Sequence, residues 1–267
     1  MIAALPMYDF PELQAAHDAL WSAIAQRLDA LGVKDVPLRL TRDRPHREVW
    51  RDPKLLFGQA CEYPLAKSFG PYLTIVATPR YAAPGCVGLL YKSAVVVRAT
   101  DPADSLAAMR GRRCVLNELD SNSGMNLLRA ALAPLATGSK FFGSVALSGA
   151  HRRSLEMIAA GEADVAAVDC VTLAHLQSID AALTRQVRVL SWTPLSPCLP
   201  FVTARATDAA TLGHLRSALA SVMTDPTLAS ERAVLLLEGI DLAPDVTLSR
   251  VLKLEREATE LRYLQVQ

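Results

Sequence analysis

The stretch from Cys114 to Asp169 limits the possible folds most, because it writes one plan twice. Cys114-Val115-Leu116 is an apolar run, Asp120-Ser121-Asn122-Ser123-Gly124 a polar turn, and a helical pattern begins at Met125. Val145-Ala146-Leu147 then reads as a second short strand, Ser148-Gly149-Ala150-His151 as a second turn, and Arg152 to Ala160 as a second helix. A third strand, Ala163 to Val168, ends in Asp169-Cys170. Strands alternating with helices build a parallel sheet with helices on its faces. Ligands of such sheets collect at the carboxyl ends of the strands. Ser121–Gly124, Ser148–His151 and Asp169 all fall at such ends.

The chemistry of these ends suits an oxyanion. Loop residues that cap a helix leave its first backbone N–H groups without intrahelical partners. The positive end of the helix dipole and the hydroxyls of Ser121 and Ser123 point the same way. Ser148 is expected to cap the second helix, with His151 in its first turn facing the same anion and Asn122 adding an amide donor. Plainer readings stand beside these. A Ser/Asn/Gly loop can be only a capped turn, a histidine in a first turn a surface residue, and Asp169 the cap of the helix that follows it.

The ordered set DSNSG, then LSGAHRRSLEMIAAGEADVAAVD, resembles the PhnD-like phosphate/phosphite/phosphonate-binding proteins of ABC transporters. That family has a Ser-x-Ser-Gly loop at a helix start, a Ser-Gly-x-His-x-x-Ser-Leu turn and helix, and a Gly-Glu-x-Asp-x-x-x-x-Asp segment. The resemblance extends more loosely over most of the chain, including Tyr91-Lys92-Ser93. It implies a two-lobed α/β fold of the type II periplasmic-binding kind. Each lobe would be a mixed, mostly parallel sheet flanked by helices, and two crossover strands would form a hinge. It also implies a small anionic ligand held between the lobes by Ser121, Asn122, Ser123, Gly124, Ser148 and His151, with Asp169 nearby. Aromatic and acidic groups, for which Tyr8, Glu62, Tyr63 and Tyr91 are the candidates, would contact the rest of the ligand. Each tyrosine can equally be packed at a sheet margin with its hydroxyl in water.

Composition sets outer bounds. The chain has 267 residues, enough for two lobes. Half of it is apolar with 6% aromatic, so the core must be aliphatic. A formal net charge of +1 argues against electrostatic binding to nucleic acid or anionic membrane. Cysteines 61, 86, 114, 170 and 198 are odd in number, contain no C-x-x-C and suit a reducing compartment. Cys114 and Cys170 read as buried small hydrophobes. No stretch reaches the ~20 apolar residues of a membrane span. The opening MIAALPMYDFPEL lacks the basic and apolar regions of a signal peptide. The chain as written is therefore expected in the cytoplasm, or in the periplasm where a leader has been removed. No cofactor, metal or catalytic residue is expected.

In chain order, the pattern gives strands at Ile2–Met7, Val36–Leu40, Leu55–Ala60, Tyr72–Thr78 and Leu89–Arg98, with a helix from Pro11 to about Leu31. Thr100-Asp101-Pro102 and Pro194–Pro200 mark the crossings. The first lobe is thus expected to span 1–99 and 194–267, and the second 100–193. His175 reads as a surface residue. Helices are expected at 209–223 and 226–237, the latter ending on Gly239. A last helix at Leu248–Leu264 would pack on the first lobe.

The expected function is a solute-binding protein for a phosphorus oxyanion, with an ABC transporter permease as partner if the chain is exported. The alternatives are a cytoplasmic enzyme on the same fold, resembling chorismate dehydratases or thiamin-pyrimidine synthases, and a ligand sensor. The loops offer no evident nucleophile–base pair. His151, Asp169 and Glu62 are the groups an enzyme would use as acid and base.

Overall fold

The computed structural model describes residues 1–136, 140–242 and 247–267. The chain forms two compact units, Met1–Ala82 with Cys198–Val246, and Ala83–Pro197 with Thr247–Gln267.

The first unit is built on a five-stranded sheet in the order Ile2–Ala4, Leu55–Gln59, Phe201–Ala204, Leu73–Tyr81, Leu237–Asp241. Only the first pair is parallel. Phe201–Ala204 runs against both its neighbours, and Leu237–Asp241 against Leu73–Tyr81. Helix Gln14–Ala30 presents Leu20, Trp21, Ile24 and Leu28 to the core, an i, i+4, i+8 stripe. The segment expected as a strand at Val36–Leu40 is irregular. Pro37 has no N–H for a ladder, its carbonyl accepts from the Trp21 indole at 3.0 Å, and Leu38 is 91% exposed. The expected helix at 226–237 stops at Val234, and Leu237–Asp241 joins the sheet instead. Gly239 is therefore a strand residue, with the Arg80 guanidinium lying over its Cα.

The second unit holds a five-stranded sheet in the order Ser144–Leu147, Arg113–Leu116, Val165–Asp169, Ser93–Arg98, Val187–Trp192. The first three strands are parallel, and Ser93–Arg98 runs antiparallel between its two neighbours. Both sheets are thus mixed, as expected: three of the five strands run one way in the first unit and four of the five in the second, where Ser93–Arg98 is the exception. Ser93–Arg98 pairs Ser93 with Asp169, so this strand and the Leu90–Tyr91 ribbon before it belong to the second unit, although the sequence suggested the first. The final helix, Thr247–Glu260, also belongs here. Arg250 donates to the Leu195 carbonyl at 2.9 Å, and Arg129 to that of Leu264 at 2.9 Å.

Candidate functional site

Three parallel strands of the second unit end side by side at Leu116, Leu147 and Asp169. The ladder between the first two continues past them, as Ser148 N–H donates to the Leu116 carbonyl and Gly149 N–H to that of Asn117, each at 2.9 Å. This pins the turn 148–151 beside the loop 117–124.

The helix after the first strand starts with a π-helical turn, Asn122–Asn126, and continues as α-helix through Leu127–Ala136. Ser121 is its N-cap, accepting from the Gly124 N–H at 3.0 Å. The Gly124 N–H is therefore used inside the loop, where the sequence reading had offered it to a ligand. The Ser123 N–H keeps no intrahelical acceptor at this end. A larger residue at Gly124 would displace the Asn117 amide: a Cβ there would stand 1.7 Å from Asn117 Oδ1 and 3.3 Å from His151 Cε1.

The helix His151–Ala160 has Ala150 at its N-cap with no side-chain cap bond. Ser148, expected as that cap, is turned inward instead. Its hydroxyl lies 3.0 Å from the Ala150 carbonyl, 3.3 Å from that of Leu116 and 2.7 Å from Ser154 Oγ. His151 Nε2 meets Ser123 Oγ at 2.8 Å, and Ser123 Oγ lies 3.4 Å from Ser121 Oγ. Two helix N-termini and three hydroxyl or imidazole groups thus converge at the strand ends.

Asn122 holds the loop from beneath. It is completely buried; its Nδ2 donates to Tyr91 OH at 3.2 Å and Ser196 Oγ at 2.9 Å, while its Oδ1 accepts from Asn126 Nδ2 at 3.0 Å. Both amide hydrogens are committed, so Asn122 supports the loop where the sequence suggested a ligand donor. Tyr91 is 1% exposed and plays the same supporting part. Ser93 Oγ adds a bond to the Ser123 carbonyl at 2.9 Å. Asp169 caps the helix Cys170–Ile179, accepting from the N–H groups of Val171 at 2.8 Å and Thr172 at 3.0 Å. His175, on that helix, is buried, against the surface position expected from sequence.

Tyr8, Glu62 and Tyr63 are in the first unit, all buried. Tyr8 packs edge-on against Tyr81 with ring centroids 5.5 Å apart. Gln59, which sequence reading passed over, donates to Tyr81 OH at 2.8 Å and to the Leu199 carbonyl at 3.0 Å. Asn117, Ser93, Asn126 and Ser196 were also passed over. Asn117 sits directly after an apolar run and before the Ser-rich turn, which was a usable signal. Ser196 lies 74 residues from Asn122, and no local pattern connects them.

The two arginines at the start of the second helix are engaged by carboxylates. Arg152, in the first turn of its helix, is drawn to Asp180 at 2.7 Å, and Arg153 to Glu162 at 3.0 Å. Burial lowers the His151 pKa to about 4, so the imidazole is neutral at pH 7. The unfolded chain binds that proton near pH 6.5 and the folded one near 4. Stability from this group is complete above 6.5 and is lost as pH falls through that window, by about 3 kcal/mol. Melting followed from pH 7.5 to 4.5 should therefore fall less steeply in His151→Gln than in the parent. Parallel slopes would remove His151 from the buried, neutral state. The same low pKa makes the Ser123–His151 pair, which the sequence did not reveal, a poor nucleophile–base couple. Among the described residues, the buried His151 Nδ1 meets no hydrogen-bond partner.

A sequence profile of the ABC-transporter phosphonate periplasmic substrate-binding proteins matches residues 53–243. The chain belongs to that family. Its fold is the type II periplasmic-binding fold. PhnD1 from Prochlorococcus marinus, solved with methylphosphonate, superposes with a TM-score of 0.76 at 15% identity, covering 97% of this chain and 98% of that one. The binding-protein component of an ABC phosphonate transporter from Pseudomonas aeruginosa gives 0.72 at 15% identity, over 97% and 87%. XAC2383 from Xanthomonas citri, solved with ATP, gives 0.71 at 15% identity, over 98% of each chain. No curated protein sequence matches. Among the described residues, no helix is long and apolar enough to cross a membrane.

Proposed function

We propose that this family member is a solute receptor that takes a small phosphorus oxyanion (phosphonate, phosphite, phosphate or a phosphate ester) at the strand ends of its second unit. It would deliver the ligand to an ABC transporter permease from the periplasmic side. The observation that carries the reading is the Ser123–His151 bond of 2.8 Å set between two helix N-termini. A phosphorus oxyanion presents several acceptor oxygens and no donor in its dianionic form. It therefore matches a surface made of hydroxyl, imidazole and backbone N–H donors. Ser121, Ser123 and His151, with the Ser123 N–H, are the proposed contacts. Ser148 holds the second turn in place, and Asp169, already capping a helix, lies at its edge.

The test is a thermal-shift series with methylphosphonate, 2-aminoethylphosphonate, phosphite, phosphate, a phosphate monoester and sulfate. A ligand at a hundredfold its dissociation constant adds about 2.7 kcal/mol to stability, a shift of a few degrees. A rise with phosphorus oxyanions that sulfate does not match is the expected result. Equal response to sulfate, or none to any phosphorus compound at millimolar concentration, rules the reading out.

A further inference from the structure

Cys86 and Cys170 stand 84 residues apart in sequence, yet their sulfurs are 3.5 Å from each other. All five cysteines are thiols in this structure. The contact is fixed by backbone on both sides. Cys170 opens the helix Cys170–Ile179, directly after the buried strand Val165–Asp169. Cys86 is held by its N–H to the Ala83 carbonyl at 2.9 Å, while Lys92 N–H closes on the Gly85 carbonyl at 3.0 Å. Gly85, at φ +103°, lies flat on the partner: a Cβ there would be 3.0 Å from Cys170 Cβ and 2.7 Å from the Trp192 ring. A covalent S–S bond is about 2.05 Å, so the two sulfurs would have to close by about 1.5 Å from this contact.

We propose that Cys86 and Cys170 are a reversible dithiol–disulfide couple, whose oxidation fastens the segment 83–92 to the start of the helix Cys170–Ile179. The two thiols differ in access. Cys170 is 1% exposed, whereas Cys86 is part-exposed. The hydrogen bond with Cys86, burial and the neighbouring Asp169 all push the Cys170 pKa up, so Cys86 reacts first. Its thiolate attacks one sulfur of a small disulfide donor such as oxidised glutathione, forming a mixed disulfide and releasing one thiolate. The Cys170 thiolate then attacks Cys86 Sγ, closes the intramolecular S–S bond and expels the second glutathione thiolate. Two electrons pass from the cysteine pair to the donor, and the two thiol protons are taken up by the released glutathione or solvent. The fastened segment carries Tyr91 and leads into Ser93, whose hydroxyl bonds the Ser123 carbonyl. The couple therefore acts on the supports of the anion loop and does not depend on which ligand that loop takes.

The experiment incubates the full chain with oxidised glutathione, quenches in acid, alkylates the remaining thiols and maps peptides by mass. The expected product joins the peptides of Cys86 and Cys170, is lighter by two hydrogens and returns to two thiols with dithiothreitol. Melting should rise by a few degrees on oxidation. Cys86→Ser, at the part-exposed position, should lose both effects, and Cys170→Ser should leave a glutathione adduct on Cys86. A wild-type chain that stops at that adduct overturns the proposal. So does one that links other cysteines while 86 and 170 alkylate, or one that does not react.

Discussion

Asn122→Ala should lower the melting temperature by roughly 6 °C, the largest stability effect of any single change in the site. The side chain makes three hydrogen bonds in a fully buried place, to Tyr91, Ser196 and Asn126. Each such bond contributes about 1 kcal/mol net, and removing one partner while the other stays buried costs more than the bond itself. A total near 3 kcal/mol follows, since the three lost bonds share one cavity and are not additive. Ser121→Ala sets the scale beside it. It loses an N-cap bond to the Gly124 N–H, which typically costs about 1 kcal/mol. Calorimetric melting of the two variants should show Asn122→Ala well below Ser121→Ala. The reverse order, or equal losses, would show that the loop is held by its backbone alone and that Asn122 is incidental to it.

That hub explains what could be read from the sequence and what could not. The strand–turn–helix plan at 114–136 and 144–160 is local. Apolar runs, cap residues and glycine act within a few positions, and the structure places each strand end where the pattern predicts. The type of residue at each turn was therefore legible, but what each side chain bonds to was not. Asn122 reads the same whether its amide meets a ligand or meets Tyr91, and Tyr91 and Ser196 reach it through strand pairing across the unit. Ser148 was misassigned for a similar reason. A serine before a helix is a common cap, but Gly149 at φ +85° turns the chain so that Ala150 takes that place. The last helix has a clear apolar stripe, yet a stripe does not name its partner, and the helix packs in the second unit through Arg250 and Arg129. Strands such as Ser93–Arg98 carry no mark of which sheet they enter, because an antiparallel neighbour can come from either side of a crossing.

Ser123→Ala should weaken the binding of whichever phosphorus oxyanion the thermal-shift series selects by about 30- to 100-fold, equivalent to roughly 2–3 kcal/mol. The hydroxyl is both a donor to the anion and the partner of His151 Nε2 at 2.8 Å, so its loss removes one contact and misdirects another. His151→Ala alone should produce a loss of the same order. Near pH 7 the imidazole is neutral, its pKa lowered to about 4 by burial, and it carries one N–H. If that proton is on Nε2 it goes to Ser123 Oγ and frees the hydroxyl hydrogen for the ligand; if it is on Nδ1, Nε2 accepts from the hydroxyl and Ser123 has nothing to donate. An anion that needs the hydroxyl hydrogen selects the first tautomer, which ties the two residues into one donor. The double variant should therefore bind less than about fivefold more weakly than Ser123→Ala, a coupling that a double-mutant cycle by titration calorimetry measures directly. Losses that multiply in full would instead make His151 and Ser123 independent contacts. A Ser123→Ala chain that is folded and binds as tightly as the parent would place the ligand elsewhere on the protein.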